Sequence, residues 1–171
     1  MRYFFVLIVA LFLSGTLYAQ VDININFNLD IQPIWGPVGY DYVEYYYLPD
    51  IDVYYYVPQH RYYYYNRGRW RYSSYLPSRF SNFDFYNSYK VVVNEREPWR
   101  NHETYREKYY SYKDRHDQQP IRDSRDSKYF INKNHPEHNN WVKQQKNDNG
   151  RNKDNKQNNN RDKHNKGEDK K

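Results

Sequence analysis

The chain has no cysteine in its 171 residues. Disulfide staples, thiol catalysis and thiolate metal sites are therefore excluded. So is a lipid-anchored bacterial precursor, whose cleavage point requires a cysteine. No apolar run reaches membrane-spanning length: the longest, Phe4 to Leu13, is about half of the roughly 20 residues that a spanning helix needs. There is no G-x-S-x-G element to expose a nucleophilic serine and no glycine-rich loop to cradle phosphate. Past Val142 no aliphatic or aromatic residue occurs, so that stretch has nothing to bury. Most of the chain also lacks net charge. Of the overall +6, Lys143 to Lys171 hold ten Lys/Arg against five Asp/Glu, whereas Gln20 to Val142 carry 16 charges of each sign.

The N-terminus has one positive charge at Arg2, the short apolar run, then Ser14, Gly15, Thr16 and Ala19. That is the layout of a secretory signal peptide over residues 1–19, with cleavage after Ala19 or Gln20. The expected product is exported, to the periplasm or the extracellular space, with no membrane span after processing.

Tyrosine is what the chain has in excess, 23 of 171 residues. "VDININFNLDIQ" (Val21 to Gln32) alternates apolar and polar without a fault, which predicts a half-buried strand. "YVEYYYL" (Tyr42 to Leu48), "IDVYYYV" (Ile51 to Val57), "RYYYY" (Arg61 to Tyr65) and "RWRYSSYLP" (Arg69 to Pro77) then predict an antiparallel β-meander, with Gly68 in the turn of the last hairpin. Phe80 and Phe83 share one helical turn, and Val91 to Val93 form a strand that can close the sheet. From Pro98 a helix is expected, with Trp99, His102, Tyr105 or Arg106, and Tyr109 along one stripe that can lie on the sheet. The expected organisation is signal peptide 1–19, antiparallel β-domain 20–95, a packed helix at 96–113 and a mostly disordered polar and basic tail at 114–171. The fold class is mainly β.

Burying an aromatic ring stabilises by about 2 kcal/mol, and an unpaired buried hydroxyl costs about 1–3. A tyrosine therefore belongs where its ring is covered and its hydroxyl finds a partner. Consecutive tyrosines on a strand point to opposite faces, so if Tyr55 is core, Tyr54 and Tyr56 lie outside. Tyr54, Tyr56, Tyr63, Tyr65 and Trp70 are accordingly the candidate contact residues for a sugar or protein surface. The competing readings are cross-strand packing beneath the helix after Pro98, and oxidative tyrosine cross-linking.

The stretch "GPVGYDYVEYYYLPDIDVYYYVPQHRYYYYNRGRWRYSSYLP" followed by "FDFYNSYKVVV" resembles a family of small exported Tyr-rich bacterial proteins. Their shared pattern is YYYLPD, VYY, a YYY…GxW hairpin, LP and a closing YKVV strand. The likeness covers Gly36 to Val93 and implies no catalytic residue. A looser resemblance is to WW domains, which bind proline-rich peptides; Tyr63, Tyr64, Trp70 and Pro77 would take the ligand-groove positions.

"HPEH" places His135 and His138 at a chelating spacing, which makes them weak metal candidates. Asp50 with Asp52, and Glu95 with Glu97, read as solvated charges rather than acid–base pairs. In the tail, Lys143, Lys146, Arg151, Lys153 and Lys156 are candidate contacts for anionic polymers. The expectation is a non-enzymatic envelope protein without a cofactor. Its aromatic face would meet cell-wall glycan or an envelope protein, and its basic tail would meet polyanions. The alternative is a small periplasmic hydrolase or metal-binding protein.

Overall fold

The computed structural model describes residues 27–148. The strands β1 (Tyr45–Leu48), β2 (Val53–Tyr56), β3 (Arg61–Asn66), β4 (Arg69–Ser73) and β5 (Val91–Val93) form one five-stranded sheet in the order β4-β3-β2-β1-β5. Every pairing is antiparallel. The meander is as the alternation predicts, and β5 closes the sheet beside β1. In the β3–β4 hairpin Asn66 pairs with Arg69, and the two residues between, Arg67 (φ 50) and Gly68 (φ 78), both have positive φ. That is the backbone of a type I′ turn, which suits the twist of the flanking strands.

Register puts Tyr45, Tyr47, Tyr54, Tyr56, Tyr63, Tyr65, Trp70 and Tyr72 on one face, and Tyr46, Tyr55, Tyr62 and Tyr64 on the other. Both faces are covered. The first receives a 3₁₀ turn at Pro98–Asn101 and the helix α1 (His102–Lys108), whose Trp99, Tyr105 and Tyr109 pack on it. Trp35 packs on the second face, 5.3 Å from Tyr46 and 5.1 Å from Tyr55, with Ile31 alongside. All of β1 is buried as a result.

The strand expected over Val21–Gln32 is not present in its described part. Residues 29–32 form turns, Phe27 is 61% exposed, and the intended outward residues Asn28 and Gln32 are buried; residues 21–26 lie outside the described residues. Amide chemistry overrides the alternation here. Asn28 donates to Val43 O and accepts from Val43 N, Gln32 donates to Asn28 Oδ1, and Tyr46 donates to Gln32 Oε1. These side chains replace a ladder with a hydrogen-bonded loop.

Residues 114–148, expected from composition to be mostly disordered, follow a defined path. Ile121 N donates to Gly36 O and Arg122 N to Ile34 O, both at 2.8 Å. Asn132 Nδ2 donates to Leu29 O and Gln32 O, and Tyr129 Oη accepts from Gly39 N. Ile121, Tyr129 and Asn132 are buried, and residues 138–148 form the helix α2. This segment is held by backbone and amide hydrogen bonds around buried side chains that are mostly polar, so a low hydrophobic content did not reveal it. Among the described residues no helix is long and apolar enough to cross a membrane.

Candidate functional site

The aromatic face converges on the β3–β4 side of the sheet. Trp99 stacks on Tyr63 with centroids 4.0 Å apart and planes 10° from parallel. Trp70 stands edge-on to His102 at 5.0 Å, to Tyr65 at 5.6 Å and to Tyr54 at 5.7 Å. These two tryptophans line both of two neighbouring clefts, one of about 720 Å³ and one of about 620 Å³. The first is completed by Tyr65, Arg79, Arg100, Asn101, His102, Asp52 and Glu103. The second is completed by Tyr56, Tyr63, Tyr72, Arg71, Arg96, Glu44 and Glu97.

The five candidate contact residues are thus drawn to one region, but unequally. Tyr54 is 0% exposed and lies under Tyr105, with its hydroxyl 3.2 Å from His102 Nδ1. It is core, not contact surface. The physical reason is the helix after Pro98, which covers the centre of the face and leaves its end open. Tyr56, Tyr63 and Trp70 are half-buried walls, and Tyr65 is exposed. The groove position offered by Tyr63 in a WW-like reading is filled by the chain's own Trp99.

Burial sets the charge states. It lowers the His102 pKa, with Asp52 and Glu103 opposing, so the ring is neutral at pH 7. Burial also raises the phenols of Tyr47, Tyr54 and Tyr105 far above their ordinary value, so they act as neutral hydrogen-bonding groups rather than nucleophiles. Most carboxylates of the region have partners. Asp52 accepts from Tyr47 Oη at 2.8 Å and faces Lys113 Nζ at 3.9 Å, Glu103 pairs with Arg106, and Glu97 pairs with Arg100. Asp50 accepts from Asp114 N. The clefts therefore offer planar aromatic walls beside fixed donors and acceptors.

Trp99 and His102 were visible in sequence as a helical stripe but not as lining. Arg79 and Arg100, single arginines in connecting segments, carried no signal. Of the polyanion candidates, Lys143 and Lys146 are exposed on α2, while Arg151, Lys153 and Lys156 lie outside the described residues. His135 is buried and accepts from Glu137 N, and His138 donates from Nδ1 to Phe130 O. Among the described residues no three His, Asp or Glu gather as a metal-ligand set. Comparison of the chain with family models, curated proteins and solved structures gives no match.

Proposed function

We propose that the protein is an exported, non-enzymatic contact protein of the bacterial envelope, and that it holds glycan in the groove divided by Trp70 and Trp99. One observation carries the reading: two clefts share an aromatic ridge and are rimmed by arginine, asparagine and carboxylate groups. A pyranose ring presents an apolar C–H face to an aromatic ring and hydroxyls to planar polar side chains, so this lining matches its chemistry. The leader-like N-terminus supports export, and Lys143 and Lys146 on α2 add a second, charge-based contact with anionic polymers. A small hydrolase draws on the meeting of Asp52, His102 and Glu103 in one cleft. The Tyr47 and Arg106 partners of the two carboxylates favour the binding reading.

The test is a titration of the full chain with chitotetraose, followed by tryptophan fluorescence and calorimetry, with product analysis for hydrolysis. Trp70→Ala should weaken binding at least tenfold, whereas Tyr54→Phe should leave it unchanged. Wild-type affinity in Trp70→Ala, or turnover of the oligosaccharide, overturns the proposal.

A further inference from the structure

The stretch from Gln20 to Val142 is neutral in sum but not in layout. Between Val53 and Phe83 there are five arginines and no Asp or Glu, whereas Val21 to Asp52 hold six carboxylates and no Lys or Arg. The arginine-only stretch is the part of the chain that builds β2, β3, β4 and the following turn. Its arginines are Arg61, Arg67, Arg69, Arg71 and Arg79. Among the described residues the ion pairs involve other side chains, and none of these five has a carboxylate partner.

Their placement is specific. Arg67 and Arg69 are exposed at the hairpin turn, while Arg79 lines the larger cleft next to Tyr65 and donates to Tyr65 O at 3.0 Å. Arg61 lies over the ring of Tyr72 at 4.9 Å, and Arg71 lines the second cleft with its Nε buried and without a hydrogen-bond partner. The rings of Tyr65 and Tyr72 are exposed on the same hairpin, Tyr72 beneath the Arg61 guanidinium. By register Arg61 shares the face of Tyr63, Trp70 and Tyr72, Arg69 and Arg71 lie on the face of Tyr64, and Arg67 stands at the turn, so arginines without carboxylate partners surround the hairpin.

We infer that the ligand is an acidic glycan, whose carboxylates are bound by the arginines of the β3–β4 hairpin while its rings rest on the tyrosine and tryptophan faces. This rests on the glycan reading of the groove and names the class of glycan. Guanidinium is the group suited to planar, bidentate capture of carboxylate, and the Val53 to Phe83 stretch carries no acidic residue of its own to compete for it. It also moves the main anion contact from the basic tail to the folded hairpin.

The experiment compares the full chain binding tetragalacturonate, chitotetraose and an oligothymidylate, across a salt series. The acidic tetrasaccharide should bind about tenfold more tightly than the neutral one at low salt, with the preference shrinking as salt rises. Arg67→Gln with Arg69→Gln should bring the ratio of the two affinities toward one. Replacing Lys143, Lys146, Arg151, Lys153 and Lys156 by Gln should lower it less than the hairpin pair does. Near-UV circular dichroism confirms that each variant is folded; both arginines are exposed. Equal wild-type affinity for the two sugars overturns the inference and leaves the glycan reading standing. Binding of neither overturns both. A preference lost with the tail lysines instead of the hairpin arginines, or oligothymidylate bound as tightly as the acidic sugar, also overturns it.

Discussion

A core built from phenols should fail in alkali in a way that an aliphatic core does not. Tyr45, Tyr46, Tyr47, Tyr54, Tyr55 and Tyr105 are each buried, and burial, the first cause in every case, raises each pKa above the ordinary value. In the unfolded chain these phenols ionise near pH 10. Above that pH the folded state binds more protons than the unfolded state, so stability must fall as pH rises. At pH 11 each phenol held protonated costs about 1.4 kcal/mol, and six together cost about 8 kcal/mol. A domain of this size has roughly 5–15 kcal/mol in total. The expected outcome is cooperative unfolding close to pH 11. Phenolate absorbance at 295 nm and near-UV circular dichroism should show one shared, steep transition. Broad, non-cooperative ionisation around pH 10 with the near-UV spectrum intact would refute the claim that these rings are desolvated.

A methyl group at Gly36 would lie 2.5 Å from Tyr46 Oη and 2.9 Å from its Cζ, so Gly36→Ala should destabilise by about 1–3 kcal/mol in urea melts. Adding Tyr46→Phe should recover part of that loss; strict additivity of the two would show that the clash is not with the ring. Asn132→Ala leaves Leu29 O and Gln32 O without their donor and should cost about 1–3 kcal/mol by the same assay. Lys90 is buried, donates to Phe85 O and Ser88 O, and has its pKa pushed down to about 8 by burial. The unfolded chain keeps that proton to about pH 10.4, so stability should rise with pH between 8 and the onset of phenol ionisation. Lys90→Met should flatten this rise while lowering stability at pH 7 through the two abandoned carbonyls.

The meander was legible because β-branched and tyrosine runs alternate with turn residues, and because Gly68 marks its hairpin. The stripe of Trp99, His102 and Tyr109 was legible and lies on the sheet as the spacing implies, while the spacing left Tyr105 and Arg106 undecided and the structure buries Tyr105. Which tyrosines stay open was not legible. Alternation assigns Tyr54 and Tyr65 to the same face, and only the placement of α1 makes one core and the other rim. Two errors share a cause. Asn28 and Gln32 were read as outward polar residues, and Asn132 as part of a solvated tail, yet all three are buried hydrogen-bond hubs. Hydropathy scores an amide by its cost in apolar surroundings, and that cost vanishes when both its donors and its acceptor are matched. The arginine block escaped notice for a different reason: summing charge from Gln20 to Val142 cancelled two segregated blocks.

The joining of the loop at residues 28–39 to residues 119–132 has a consequence in time. Asn132 and Gln32 are 100 positions apart, and Tyr129 and Gly39 are 90 apart. Contacts of that separation require a long loop closure before they contribute, whereas the β2–β3–β4 hairpins close over a few residues. The hairpins therefore form early. The clasp forms late, and only after synthesis has passed Asn132. Until then Ile34 O, Gly36 O and the Gly39 amide wait for partners, and the early loop is the segment most open to a protease or a chaperone.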